Sequence, residues 1–227
     1  MKPLVIINPN ASQTVTQGID RAVDPLRAFG RPIRCLTLTE GPPAIESQKQ
    51  ADLTVAPMLR LAAAQTDAAG YVIACFGDPG LHALRDQTAR PVVGIQEAAV
   101  LTALSLGQRF GVIAILAGSI PRHLRAFGAM GVLDRLAGDR ALGLGVADLA
   151  TADRTIDAMI ATGRTLRDED GANVLIMGCA GMADYRSRLE DAVGLPVVEP
   201  CQAAASLALG QIALTLSHKP NEAPDAD

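Results

Sequence analysis

The chain has no tryptophan, two tyrosines and four phenylalanines among 227 residues, too few aromatic faces to build a stacking platform for nucleobases. It lacks a basic excess as well. Twenty Lys and Arg stand against 24 Asp and Glu, a net charge of −4, which excludes the positive surface that holds nucleic acids or anionic membranes. No apolar run reaches the length of a bilayer span. The opening MKPLVIINPN turns polar after four apolar residues, too short a core for a secretion leader. The expected location is therefore cytoplasmic, with neither membrane nor nucleic acid as a partner. Cys35, Cys75, Cys179 and Cys201 form no C-x-x-C pair and have no histidine at ligand spacing, so no metal is expected. In a reducing cytosol all four remain thiols.

What the chain does have is a repeat. Tyr71–Gly80, YVIACFGDPG, and Val174–Met182, VLIMGCAGM, are both apolar runs that stop at a cysteine among small residues. About 20 residues after each comes a matching PVV: Pro91–Ala99 reads PVVGIQEAA and Pro196–Ala204 reads PVVEPCQAA. Helical segments follow both, ending in LSLG at Gly107 and LALG at Gly210. The openings match too, LVIINPNAS in the first half and FGVIAIL followed by Ala117-Gly118-Ser119 in the second. One ancestral unit has been duplicated.

Along the chain, strands are expected at 4–7 and 33–38, a helix at 14–29, and a second helix opening near Ala44 that Pro57 should kink or restart. In the second half a helix is expected from Pro121 to Phe127, a short strand through Leu142, Leu144 and Val146, and a helix from Thr151 that Asp168–Gly171 end. Strands alternating with helices predict an α/β fold of two pseudo-symmetric lobes. Each would be a parallel sheet flanked by helices, with the active site in the cleft between them. The expected division is residues 1–97 for the first lobe, rejoined by a C-terminal helix over 203–217, and 98–202 for the second. Residues 218–227, polar and proline-bearing, read as a disordered tail.

Two opposed thiols can invert a carbon acid. One, as thiolate, takes the proton from a carbon next to a carbonyl, and the other returns one from the opposite face. Lowering a thiol pKa by about 1.5 units takes roughly 2 kcal/mol, the most a helix N-terminus supplies. The turns after both cysteines are expected to provide it. The enolate oxygen needs donors, and the backbone N–H groups of Phe76, Gly77, Ala180 and Gly181 are the candidates. Asn10, Glu46 and Ser119 are the further candidates for substrate contact. Each has a plainer reading: Asn10 and Ser119 as caps of their own turns, Glu46 as support for a helix start, Asp78 as an N-cap before Pro79. A single buried cysteine is more often packing than chemistry, and Cys35 is read as core. His82, His123 and His218 are scattered and are assigned to the surface. The turns INPNAS, CFGDPG and GCAGM contain no Lys or Arg, which suits a neutral substrate better than a dicarboxylate, although Arg122 near Ser119 and the helix termini could hold an anion.

These segments, INPNAS (7–12), GPPAIES (41–47), ACFGDPGL (74–81), PVVGIQEAA and GCAGM (178–182), together resemble the aspartate/glutamate racemase superfamily, and within it the hydantoin and allantoin racemase branch. The resemblance implies two α/β lobes around a pseudo-two-fold axis, no cofactor, and racemisation of a small-molecule substrate by a cysteine pair at Cys75 and Cys179. The Asn-Thr that usually follows a cysteine in the amino-acid racemases is absent here, which argues against free aspartate or glutamate. The chain departs from the branch at Ala114–Leu116, where threonines are common, and at Pro200-Cys201, in place of Asp-Pro. A maleate-type cis–trans isomerase with a cysteine nucleophile, or a cytosolic small-molecule binding protein, are the alternative readings, and a homo-oligomer is left open.

Overall fold

In the computed structural model, which describes residues 1–150 and 152–218, the first strand shows how the chain is layered. β1 (Leu4–Asn8) is buried along its whole length. Leu4 and Ile6 join the apolar cluster on one face of the sheet, and Val5 and Ile7 the cluster on the other. A strand covered on both faces belongs in a parallel sheet between helical layers. β1 accordingly pairs in parallel with β2 (Ile33–Thr37) and β3 (Gly70–Ile73), and β3 with β4 (Val92–Gly94), giving the order β2-β1-β3-β4. The second half repeats it. β5 (Phe110–Ala114), β6 (Leu136–Ala141), β7 (Val174–Met177) and β8 (Val197–Val198) form a second parallel sheet in the order β6-β5-β7-β8. Leu4 pairs with Gly70 as Phe110 pairs with Val174, so the duplicated segments occupy equivalent positions. The fold is α/β with two lobes.

The helices are α1 (Gln13–Ala22), α2 (Gln48–Ala63), α3 (Leu81–Gln87), α4 (Ile95–Leu106), α5 (Ile120–Ala129), α6 (Ala152–Asp168), α7 (Arg186–Val193) and α8 (Pro200–Ala213). The outer face of the first sheet, Val5, Ile7, Tyr71 and Ile73, packs with Met58 and Ala62 of α2 and Leu81 and Leu84 of α3. That of the second, Ile113, Leu175 and Met177, packs with Ile156, Met159 and Leu166 of α6 and Leu189 of α7. Between the sheets lies one continuous core that contains both inner faces, Leu4, Ile6 and Val72 on one side and Phe110, Val112 and Ile176 on the other. α4 and α8 fill its centre. α4 leaves the first sheet and packs on β5 and β7 of the second, while α8 leaves the second sheet and packs on β1, β3 and β4 of the first. Their buried positions are mostly alanine, Ala98, Ala99 and Ala103 in α4 and Ala203, Ala204, Ala205 and Ala208 in α8, which lets the two helices lie close together.

Several expectations shift. The helix expected over 14–29 ends at Ala22, and a 3₁₀ segment follows from Asp24 to Phe29, because Pro25 cannot donate in mid-helix. α2 starts at Gln48, set by a capping box between Ser47 and Gln50. It continues through Pro57, where the carbonyl left without a donor belongs to exposed Leu53 and can be taken by water. The second-half strand is Leu136–Ala141 and not 142–146. Its residues are only half-buried, the signature of a sheet edge, so no apolar alternation marks it. The junction at residues 97–98 lies inside α4, and the chain enters the second sheet after Gly107. The tail beyond His218 lies outside the described residues.

Candidate functional site

Both cysteines lie just beyond the carboxyl ends of their strands, Cys75 after β3 and Cys179 after β7, where parallel sheets place ligands. They line one narrow cavity of about 30 Å³, partly open to solvent, together with Asn10, Ile45, Phe76, Ile115, Ser119, Arg122, His123, Val146, Ala180 and Gly181. Its wall draws on both lobes. The expected cleft thus holds Cys75, Cys179, Asn10, Phe76, Ser119, Ala180 and Gly181. Gly77 lines the adjoining groove on the Cys75 side.

Glu46 does not line the cavity. Its carboxylate accepts the N–H of Val146 at 2.9 Å, and its backbone carbonyl accepts from Arg122 at 3.2 Å. It bridges the lobes at the rim of the cleft, because Ser47 and Gln50 fix the start of α2 and turn Glu46 toward the second lobe. Its negative charge still reaches Cys179 and disfavours the thiolate there.

The turns around the two thiols differ. Residues 75–78 form a turn closed by the Asp78 N–H on the Cys75 carbonyl at 2.9 Å, with Gly77 at φ 123° and Asp78 at φ 45°. α3 begins only at Leu81, so no helix N-terminus faces Cys75. Cys179 caps a 3₁₀ turn over Ala180–Tyr185, and the Gly181 N–H donates to its sulfur at 3.4 Å. Gly181 is therefore committed to the thiol and not to an oxyanion, whereas the N–H groups of Phe76, Gly77 and Ala180 meet no acceptor among the described residues. The expected lowering of the thiol pKa values is not found. Burial pushes Cys75 well up, reinforced by Cys179 and Asp78 and opposed by Arg122. Cys179 is pushed up to about 11 by burial, less far because Gly181 donates to it. Desolvation disfavours the charged form more than these short turns favour it.

Asp78 does not cap the helix that follows it. Its carboxylate takes the N–H groups of Gln96 and Glu97 at 2.9 and 2.8 Å and caps α4. A Cβ on Gly94 would lie 2.2 Å from that carboxylate, which is why glycine stands there. In the second half Glu199, at the position matching Gly94, caps α8 itself through Cys201 and Gln202 at 3.0 and 2.6 Å. Burial raises both carboxyls to about 7. Cys201 is fully buried in the central core and does not reach the cavity, whereas Ile115, from the other departure, lines it.

Asn10 and Ser119 are buried and in place. Asn10 Oδ1 accepts from Asn8 Nδ2 at 2.9 Å and from the Ser12 N–H at 2.8 Å, leaving its own Nδ2 unpaired among the described residues. Ser119 Oγ accepts from Arg122 Nη2 at 3.2 Å. Two further side chains stand in the wall. Arg122 stands beside Cys75, its guanidinium spread over the carbonyls of Glu46 and Gly118 and the Ser119 hydroxyl. His123, expected at the surface, is 1 % exposed. It lies on the inner side of α5 with Phe127 one turn on, and its partner Asp139 comes from the unrecognised strand β6. The i, i+4 spacing of His123 and Phe127 was the available signal.

A profile of the Asp/Glu/Hydantoin racemase family matches residues 4–208. A hydantoin racemase of Paenarthrobacter aurescens is 32 % identical over 216 residues, 93 % of this chain and 91 % of that one. The solved allantoin racemase of Klebsiella pneumoniae superposes with a TM-score of 0.90 at 28 % identity, over 100 % of this chain and 96 % of that one. The allantoin racemase of Pseudomonas fluorescens superposes with a TM-score of 0.92 at 26 % identity, over 99 % and 98 %.

Proposed function

Since the chain belongs to the Asp/Glu/Hydantoin racemase family and is an isomerase of the racemase type, we propose that Cys75 and Cys179 are its acid–base pair and that a cyclic ureide of the hydantoin or allantoin kind is its substrate. The observation that carries this reading is that both thiols, at matching positions of two duplicated lobes, open onto the same cavity. A planar five-membered ring between them would offer each face of its stereogenic carbon to one sulfur.

In one direction the Cys179 thiolate removes the α-proton, so that C–H breaks and S–H forms, and the electron pair moves into an enolate. The Cys75 thiol then gives its proton to the opposite face and becomes the thiolate. The reverse direction exchanges the roles. No cofactor enters this scheme. Cys179 is assigned the thiolate of this direction because the Gly181 N–H supports its sulfur, whereas burial together with Cys179 and Asp78 pushes Cys75 up further. The unpaired N–H groups of Phe76, Gly77 and Ala180, with Asn10 Nδ2, are the donors for the enolate oxygen. Arg122 is the one Lys or Arg in the cavity wall among the described residues, and most of its donors already hold the surrounding loops. A dicarboxylate would need more positive charge than that.

Proton NMR in D₂O tests this. Single enantiomers of 5-substituted hydantoins and of allantoin, beside aspartate and glutamate, should show α-proton exchange with loss of optical purity only among the ureides. Cys75→Ser and Cys179→Ser should each lose at least about 100-fold in racemisation. Absence of exchange in every ureide would overturn the substrate class, and a serine variant that racemises normally would overturn the two-thiol scheme.

A further inference from the structure

The cavity wall holds one ionisable pair that the two-thiol scheme does not use. His123 Nδ1 lies 2.8 Å from Asp139 Oδ2, and both side chains are 2 % exposed. The imidazole is wedged edge-on against Phe76, the residue after Cys75, with ring centroids 5.0 Å apart at 80°, and lies tilted at 42° to Phe127, 6.2 Å away. Its orientation is thus set on three sides. A carboxylate at Nδ1 holds the proton on that nitrogen and leaves the lone pair on Nε2. Nε2 has no partner among the described residues, while the ring forms part of the cavity wall. Asp139 Oδ1 is buried and also without a partner, a cost that a purely structural pair would have been expected to relieve.

The other polar groups of the wall are committed differently. Phe76 and Ala180 offer N–H groups, Asn10 offers Nδ2 and Arg122 its guanidinium, all of them donors. The side-chain oxygens are occupied: Asn10 Oδ1 by two donors and Ser119 Oγ by Arg122. Side chains that only donate would suit an anion. A ureide ring carries N–H groups as well as carbonyls, and each buried N–H needs an acceptor.

We infer that His123 Nε2 is the acceptor for a ring N–H of the substrate, and that Asp139 is a positioning residue that fixes the proton of the neutral ring on Nδ1. The inference rests on the ureide reading above and makes His123 the residue that selects N–H-bearing rings over N-substituted ones.

The test compares a 5-substituted hydantoin with its N1-methyl and N3-methyl analogues on wild type, His123→Asn and His123→Gln. Asn keeps a donor for Asp139 but has nothing at the place of Nε2. Gln can put its amide oxygen there. His123→Asn should lower kcat/KM on the parent hydantoin about tenfold, mainly through KM, and leave one N-methyl analogue unaffected, so that discrimination between the two collapses. His123→Gln should restore part of it. In ¹⁵N-histidine spectra, Asp139→Asn should move the proton of His123 from Nδ1 toward Nε2 and reproduce the KM effect. Equal losses on parent and methylated rings, or a kcat loss with KM unchanged, would overturn the acceptor role and point to a histidine serving Cys75. A wild type that racemises no ureide, with the fold intact, overturns the substrate reading and this inference together. Normal ureide racemisation with undisturbed discrimination in His123→Asn overturns this inference alone.

Discussion

A thiol that must lose its proton in order to act, yet sits where burial favours keeping it, makes a measurable commitment. Both sulfurs are partly reachable from the cavity but largely stripped of water, and burial is the first cause of the upward shift in each. Only the thiolate alkylates quickly. The sign is then fixed: with folded-state values raised, to about 11 for Cys179 and further for Cys75, the reactive form is scarce at neutral pH and grows as pH rises. Iodoacetamide labelling of the free enzyme, read by peptide mass spectrometry, should accelerate about tenfold per pH unit between 7 and 10. Cys179 should be labelled before Cys75. Labelling that is already at a plateau by pH 7 would show that the turns stabilise the thiolates more than burial opposes them. That Cys75 and Cys179 line one cavity was legible from sequence, because two matched frames carried them. The burial of His123 was not, since it depends on Asp139, sixteen residues away on a half-buried edge strand that no apolar alternation marks.

At the scale of elements, the helix caps show what duplication keeps and what it exchanges. α8 is capped by Glu199 from its own start, whereas α4 has Gly94 at that position and takes its carboxylate from Asp78 in the cysteine turn. The cap of α4 thereby ties the Cys75 turn to the central helix. Gly94→Ala would drive a methyl into the Asp78 carboxylate, 2.2 Å from where the Cβ must go. The expected cost is about 3 kcal/mol, or a fall in Tm of roughly 6–12 °C for a chain of this size. Because Asp78 cannot move without Cys75, kcat should drop as well. Gly18→Ala on α1, where a Cβ meets only the end of Arg21 at 3.8 Å, serves as the control and should be neutral or slightly stabilising. A Gly94→Ala protein with wild-type Tm and kcat would break the link between cap and turn. The sequence spelled PVVG against PVVE plainly, but not which carboxylate replaced the missing one, since that depends on a turn sixteen residues upstream folding back over the helix start.

For the whole molecule the decisive feature is the exchange of covers. α4 comes from the first half and packs on the second sheet, and α8 does the reverse. The unbroken apolar runs of β1 and β5 announced sheets buried on both faces, but which helix covers which sheet is a property of the assembled chain and is written in no local pattern. The consequence is that neither half is complete alone. A fragment of residues 1–107 would lack α8 over Leu4, Ile6 and Val72, and a fragment of 108–218 would lack α4 over Phe110, Val112 and Ile176, all now in one shared core. Each would expose a continuous apolar sheet face of the kind that drives association. Expressed singly, each fragment should aggregate or melt without a cooperative transition. Expressed together, they should form a one-to-one complex that unfolds cooperatively and recovers racemisation, because the cavity needs Cys75 from one fragment and Cys179 from the other. The surface pair Arg21–Asp184, which spans the halves with both side chains more than half exposed, is worth at most about 1 kcal/mol, so Arg21→Ala should leave that complex intact. Two fragments that each fold alone, with sharp melts and no gain on mixing, would show that the halves are independent domains and that the shared core contributes little to their folding.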